Sequence, residues 1–326
     1  MLIAALAILV GFVVLIWSAD LFVAGAASIA ENLGMSPTLI GLTIVSLGTS
    51  APEVLVSITA SVAGAGELAI GNAIGSNIAN VGLVLGVTVL VAPLYVHSKC
   101  MAQEMPTLLF VTAAIALLLL DGELSRLDGY LMLSALVFIL VQMVRSQTHD
   151  STLVAEADDE PLPHFKPLKA WVVFLLGLVL LIVSSRLLVW GAVAVAGELG
   201  VSNMVIGLTV VAVGTSLPEL AATIASALRG HAEIALGNVI GSNLFNLLGV
   251  MSIPGLIAPE VLDPAVMGRD YPAMSIAMLL LALGLYLGRR RSTAPEGHAY
   301  IGRTVGWLLV SLYALYYYWL FLTIPH

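Results

Sequence analysis

Charge is scarce in this 326-residue chain, because only 10% of its residues are Asp, Glu, Lys or Arg, whereas an ordinary soluble domain has about 25%. Cysteine is nearly absent too: Cys100 stands alone, so an internal disulfide is excluded. No Lys or Arg precedes Lys99, and a secretory signal needs such a charge, so we expect residues 1–17 to stay as a spanning helix. These shortages exclude a soluble enzyme, a disordered chain and a nucleic-acid-binding protein.

Apolar residues are abundant instead, with 60% hydrophobic residues and a mean hydropathy of +1.06. A membrane span needs about 20 predominantly apolar residues. The sequence predicts an all-α integral membrane protein with ten transmembrane helices, at roughly 2–30, 37–62, 68–92, 105–120, 127–145, 170–196, 203–228, 234–258, 271–288 and 305–323. One clear linker, 146–169, separates the fifth span from the sixth and contains three prolines and an acidic run.

The basic residues indicate the orientation of these spans. Ten spans place both termini on one side of the membrane. Nine Lys and Arg residues fall in loops on the opposite side, and only Arg126 and Arg269 fall in loops on the terminal side. Because cytoplasmic loops carry the excess of basic residues, we expect both termini outside and the 146–169 linker in the cytoplasm.

The chain contains an internal repeat. A shift of 166 residues aligns 41–86 with 207–252 without a gap, and 21 of the 46 positions are identical. The domain organisation is therefore a first five-helix repeat at 1–145, the linker, and a second five-helix repeat at 170–326. Since five is odd, the second repeat enters the membrane from the opposite side. Inverted repeats of this kind are typical of secondary transporters, whose sites lie near the bilayer midplane on broken helices.

Glu53 and Glu219 occupy matching positions well inside their spans, in the motifs GTSAPE and GTSLPE. A carboxylate costs several kcal/mol in a bilayer and indicates a functional site. A purely structural glutamate is the alternative, and its occurrence at both symmetric positions argues against that. Pro52 and Pro218 precede the two glutamates and remove a helical hydrogen bond. We therefore expect spans 2 and 7 to be broken at the centre, where unwound backbone can line a cavity.

Oxygen donors surround both glutamates at helical spacing. Ser46, Ser50 and Glu53 share one helix face, and Ser76 and Asn80 lie on a face of the next span. The matching positions of the second repeat are Ala212, Ser216, Glu219, Ser242 and Asn246. Calcium takes six to eight such oxygens, and sodium uses the same type of ligand with less charge. No His or Cys lies on these faces, which argues against zinc, copper and iron.

The paired GTSxPE motifs, each followed by GNxIGSNxxN, resemble the alpha-repeats of the calcium/cation antiporter superfamily, and among its branches the prokaryotic sodium/calcium exchangers most. This resemblance covers essentially the whole chain and implies a bacterial or archaeal plasma membrane protein. It implies that Glu53 and Glu219 are the principal calcium ligands, and that the Thr49 and Thr215 carbonyls complete the calcium site. It implies further ligands around sodium and the central site: Ser50, Ser216, Ser76, Ser242, the carbonyls of Ser46 and Ala212, and Asn80 and Asn246.

Asn246 departs from several relatives, including potassium-dependent ones, which have Asp there, and this argues against potassium dependence. The expected function is exchange of Ca²⁺ for Na⁺ by alternating access. A proton/calcium antiporter, a passive cation channel and an intramembrane enzyme with two carboxylates are the alternatives; no nucleophile–base pair supports the enzyme. We expect Ca²⁺ and Na⁺ as substrates and the lipid bilayer as the surroundings, with no cofactor, no nucleic acid and no obligatory protein partner.

Asp20 and Arg186 occupy equivalent positions under the 166-residue shift and carry opposite charges. Inversion places them toward opposite ends of their spans, so we do not expect them to pair with each other. Each is expected to reach the interface or to pair locally.

Overall fold

Apolar segments of this length become helices because hydrocarbon offers no hydrogen-bond partner to the backbone. The computed structural model describes residues 1–97, 101–147, 165–199, 212–289 and 297–323. Its helices are α1 (Leu2–Leu33), α2 (Pro37–Thr49), α3 (Ala51–Val62), α4 (Gly66–Val91), α5 (Met101–Leu118), α6 (Arg126–Gln147), α7 (Pro167–Glu198), α8 (Ala212–Thr215), α9 (Leu217–Leu228), α10 (Ala232–Ile257), α11 (Val266–Gly288) and α12 (Arg303–Thr323).

Eight of the described helices are long and apolar enough to cross a membrane. The bent pair α2 and α3 makes a ninth if it counts as one span. These helices agree with the predicted spans to within a few residues. The beginning of the predicted seventh span, 203–211, and most of the predicted linker, 148–164, lie outside the described residues.

The two long helices α1 and α7 pack along each other in opposite directions. A Cβ atom added at Gly25 would lie 2.5 Å from the backbone nitrogen of Phe174, so only glycine permits this approach. Gly191 likewise lies against Ile8, and a shift of 166 residues converts the first pair into the second. The aromatic rings of Phe22 and Phe174 stack between the helices, with centroids 4.8 Å apart. The sequence repeat thus reappears as matching contacts between the two halves.

Helix α10 lies at the centre of the molecule and is almost entirely buried. It approaches α2 through two glycines. A Cβ atom at Gly237 would lie 2.8 Å from the Thr38 carbonyl oxygen, and one at Gly241 would lie 2.5 Å from the Leu42 carbonyl oxygen. Because the backbones approach so closely, α10 of the second half and α2 of the first half bring their polar residues together.

The structure is helical as predicted, and two short antiparallel ladders accompany the helices. Strand β1 (Leu94–His97) pairs with β4 (His298–Ile301), and β2 (Glu123–Leu124) pairs with β3 (Glu260–Val261). β1 follows α4 and β3 follows α10, while β2 precedes α6 and β4 precedes α12. Each ladder therefore joins the end of the third span of one half to the loop before the last span of the other. The strands are too short to show a period in the sequence, and their partners are distant along the chain.

Candidate functional site

Helices α2 and α3 meet at a break of 45° centred on Ser50, which has φ −81° and ψ 4°. Ser216 has nearly the same conformation, φ −89° and ψ 5°, between α8 and α9. Pro52 and Pro218 each stand in the first turn of the helix that follows, where a missing N–H costs least. Proline therefore starts a new helix after each of these serines, and in the first half the two helices are bent by 45°.

Each break presents a glutamate. Glu53 lies in the first turn of α3 and Glu219 in the first turn of α9, where the positive end of the helix dipole favours a carboxylate. Both side chains are only 2% exposed, and in each the Oε2 atom has no hydrogen-bond partner among the described residues. Neither glutamate forms an ion pair with a described residue. Two buried acceptors without donors are suited to a cation.

The two glutamates come together from opposite halves of the chain. The Glu219 carboxylate lies beside the side chains of Thr49 and Ser50, and it is close enough to Glu53 for their charges to repel each other. Repulsion between two buried carboxylates is offset when a divalent cation lies between them, because the Coulomb energy is large where water is excluded.

Most of the other predicted ligands lie in the same buried region. Helix α9 packs against the turn that begins at Asn80, and α3 packs against the turn that begins at Asn246. Both turns are π-helical, over Asn80–Leu85 and Asn246–Val250, a distortion that is frequent at functional sites. Buried polar atoms without a described partner are found in five predicted ligands: Ser50, Ser216, Ser242, Asn80 and Asn246.

The remaining predicted ligands are Ser46, Ser76, Thr215 and Ala212, and their hydrogen bonds and positions differ. The Ser46 carbonyl accepts the backbone N–H of Ser50 at 2.9 Å and lies 3.4 Å from the Thr49 hydroxyl, so only part of its hydrogen-bonding capacity is left. Ser76 is buried in α4. Thr215 and Ala212 stand at the two ends of the short helix α8, which contacts α4.

One polar contact of this region was not expected from the sequence. Asn238 joins Thr49 of α2 to Thr223 of α9 by two hydrogen bonds. The repeat pairs Asn238 with Asn72, but the partners of Asn238 become neighbours only where α2 and α9 approach α10.

The ion pair of Asp20 was not expected from the sequence either. Asp20 bonds to Arg229 of the other half, 209 residues away, and not to a local partner.

The donors gathered here are carboxylate, hydroxyl, amide and carbonyl oxygens. In the described part of the chain, no group of three or more His, Cys, Asp or Glu residues is placed to hold a metal ion. The site therefore offers two charges and many neutral oxygens. Such a set suits Ca²⁺ or Na⁺ and leaves the soft transition metals without their preferred ligands.

Comparison with known proteins agrees with this chemistry. Residues 3–145 and 169–322 match the family described as "Sodium/calcium exchanger protein". The chain is 47% identical over 325 residues to the candidate antiporter CaxA of Alkalimonas amylolytica, covering 98% of this chain and 99% of CaxA. It is 31% identical to the sodium/calcium exchanger MaX1 of Methanosarcina acetivorans, covering 87% of this chain and 91% of MaX1.

Among solved structures, the sodium-calcium exchanger NCX_Mj superposes on the chain with a TM-score of 0.81. Sequence identity to NCX_Mj is 32%, and the superposition covers 100% of each chain. The matches span both halves of the chain, so they concern the whole architecture and not one motif. The chain belongs to the sodium/calcium exchanger family.

Proposed function

We propose that the chain is a secondary active antiporter that exchanges Ca²⁺ for Na⁺ across the plasma membrane by alternating access. The observation that carries this proposal is the meeting of Glu53 and Glu219, buried and without ion-pair partners among the described residues, at two matching helix breaks. Membership of the exchanger family supports calcium/cation antiport, and NCX_Mj and MaX1, the relatives named as sodium/calcium exchangers, support sodium as the second ion.

In this proposal the two carboxylates hold Ca²⁺ together with the Thr49 and Thr215 carbonyls. Sodium ions use the same carboxylates and the flanking oxygens of Ser50, Ser216, Ser76, Ser242, Ser46 and Ala212, with Asn80 and Asn246 beside the centre. Because the charged ligands are shared, Ca²⁺ and Na⁺ exclude each other. That exclusion is what couples the inward movement of one ion to the outward movement of the other.

The architecture proposed for this mechanism has ten spans, formed by two inverted five-helix repeats at 1–145 and 170–326 with broken helices 2 and 7. The contacts of Gly25 with Phe174 and of Gly191 with Ile8 support the symmetry. The chain acts as a transporter and not as an enzyme, it needs no cofactor, and its ions are its substrates.

The orientation proposed has both termini outside and the 146–169 linker in the cytoplasm. A membrane-impermeant thiol reagent applied from the outside should modify a cysteine placed at position 326 and spare one at position 155, in a background without Cys100. The reverse labelling pattern would overturn the orientation.

Competition between ions tests the function. We expect Na⁺ to displace Ca²⁺ from the purified protein with a Hill coefficient above one, because more than one Na⁺ must replace one Ca²⁺. We expect K⁺ to have little effect, because Asn246 adds no charge. The measurement is calcium binding by calorimetry, titrated with NaCl and with KCl at equal ionic strength, followed by calcium uptake into proteoliposomes with and without an outward sodium gradient at clamped pH. Equal effects of the two salts would indicate screening alone and would favour proton coupling or a channel.

A further inference from the structure

A bridge of two hydrogen bonds crosses the boundary between the halves beside the ion site. The Thr49 hydroxyl donates to Asn238 Oδ1 at 3.2 Å, and Asn238 Nδ2 donates to the Thr223 hydroxyl at 2.9 Å. All three side chains are fully buried, with 0% exposure. Hydrogen bonds in such surroundings are strengthened by the low local dielectric, and breaking one leaves a buried polar group unpaired.

The bridge connects parts of the ion site that the chain itself does not connect. Thr49 is the last residue of α2 and supplies a carbonyl to the proposed calcium site. Thr223 stands four residues after Glu219 on α9, on the same helix face as that glutamate. Asn238, on the central helix α10, holds both. The position of the Thr49 turn relative to Glu219 therefore depends on one amide.

The matching residues of the other half are arranged differently. Under the 166-residue shift, Asn72 corresponds to Asn238 and Ser57 to Thr223. The Nδ2 atom of Asn72 is buried without a partner among the described residues. The Ser57 hydroxyl donates to the Val250 carbonyl at 2.9 Å instead of meeting Asn72. The bridge is thus a feature of one half in this conformation and does not follow from the repeat alone.

We propose that Asn238 is a positioning residue for ion selectivity: by joining Thr49 to Thr223 it fixes the ion-facing turn of one repeat against the Glu219 helix of the other and so favours Ca²⁺ over Na⁺. The inference rests on the proposed function. An ion interacts with a carbonyl dipole in proportion to its charge, so a misplaced Thr49 carbonyl weakens Ca²⁺ binding more than Na⁺ binding. Calcium also requires more oxygens at fixed positions than the monovalent ion does.

The test uses the full-length purified protein and measures Ca²⁺ binding and Na⁺ competition by calorimetry. The variant Thr223→Val keeps the shape of the side chain and removes the acceptor of the Asn238 amide. We expect it to weaken Ca²⁺ binding about tenfold, in keeping with the loss of a buried hydrogen bond, and to change Na⁺ binding less than threefold. Thr223→Ser keeps the hydroxyl and should stay within about twofold of the unmodified protein for both ions.

Two further variants separate positioning from other roles. Ser226→Ala removes a buried hydroxyl one turn further along α9, whose hydrogen bond among the described residues goes to the Ala222 carbonyl of its own helix. This variant should leave both affinities unchanged. The double variant Asn238→Ala with Thr223→Val should bind Ca²⁺ no more weakly than Asn238→Ala alone, because the two residues act through one bridge. Additive losses would indicate that Thr223 contacts the ion directly and would overturn the proposal.

Several results would contradict the proposed role of Asn238 in ion selectivity. Calcium affinity of Thr223→Val within twofold of the unmodified protein, equal losses in Thr223→Val and Thr223→Ser, or equal losses for Ca²⁺ and Na⁺ would each overturn the positioning role while leaving the antiporter intact. Failure of Na⁺ to displace Ca²⁺ from the unmodified protein would instead overturn the proposed function, and the selectivity role with it.

Discussion

The two halves of the molecule have the same break but different surroundings. Ser50 and Ser216 differ by only a few degrees in φ and ψ, and a proline and a buried glutamate follow each of them. The contacts around the two breaks differ. Asn238 bridges Thr49 to Thr223, whereas the matching Asn72 has a buried Nδ2 atom without a described partner.

The packing of the two long helices α1 and α7 also differs between the halves. Helix α1 packs along α9, and Asp20 pairs with Arg229 at the end of that contact. Among the described residues, α7 has no comparable packing against α3, and the position matching Arg229 is Ala63. The repeat therefore accounts for the matching breaks, whereas these contacts differ between the halves. Under the proposed topology and function, the α1–α9 contact lies on the cytoplasmic side of the site, and we infer that it closes that side.

The largest expected effect concerns what the halves share. Glu53→Gln keeps the shape of the side chain and removes one of the two charges that offset Ca²⁺. One charge pair at about 4 Å is worth about 4 kcal/mol at an effective dielectric of about 20, and about 1.4 kcal/mol already changes affinity tenfold. We expect Glu53→Gln and Glu219→Gln each to abolish sodium-dependent calcium uptake into proteoliposomes.

Glu123→Gln, at an exposed position in β2, is the matched control and should transport normally. Normal transport by either central variant would contradict the shared role of the two carboxylates. Loss in one and not the other would break the symmetry of the site.

The next effect concerns the close approach of the two halves at Gly241. A Cβ atom at Gly241 would lie 2.5 Å from the Leu42 carbonyl oxygen. The residue that the repeat places opposite the matching Gly75 is Leu208, which lies outside the described residues. We expect Gly241→Ala to destabilise the protein by about 1–3 kcal/mol, the usual cost of overpacking, and the repeat predicts a similar cost for Gly75→Ala. Thermal unfolding of the purified variants measures both, and a smaller loss in Gly75→Ala would show that the two halves pack differently at these glycines.

The spans and the buried positions of Glu53 and Glu219 could be predicted because each has a strong local signal. The span lengths follow from hydropathy, and Glu53 and Glu219 stand out as acids within apolar helices. The ladder of β1 with β4 and the Asn238 bridge could not be predicted, because each depends on the approach of distant segments. The partner of Asp20 could not be predicted for the same reason: Arg229 comes close only when α1 packs on α9.

A smaller effect concerns the flanking serines. Both Ser50 and Ser216 have a buried hydroxyl without a described partner, and Ser50 lies beside Glu219. We expect Ser50→Ala and Ser216→Ala to raise the sodium concentration that displaces half of the bound Ca²⁺ by about fivefold each, since a lost polar contact costs about 1 kcal/mol. Ser226→Ala serves as the control. A shift in one variant only would assign sodium to one half of the site.

The smallest expected effect concerns the ion pair that only one half possesses. Arg229 Nε lies 3.0 Å from Asp20 Oδ1, but the two side chains are 31% and 49% exposed, so solvent screens their attraction. Pairs of this kind contribute about 0.2–1 kcal/mol, and breaking this one should shift the balance between the two access states by no more than about fivefold. The variant Asp20→Asn should shift this balance away from the state in which α1 and α9 are in contact. The double variant Asp20→Arg with Arg229→Asp exchanges the two charges and should restore the original balance.

The measurement uses a cysteine at Ala222, which is fully buried where α9 meets α1, in a background without Cys100. A thiol reagent should modify this cysteine faster in Asp20→Asn than in the parent protein, and at the parent rate when the charges are exchanged. Lys166→Gln, which removes a positive charge next to the start of α7 and away from this pair, should leave the rate unchanged. If Asp20→Asn does not change the rate, the asymmetry between the halves is set by the apolar contact of α1 with α9, and the ion pair only follows from that contact.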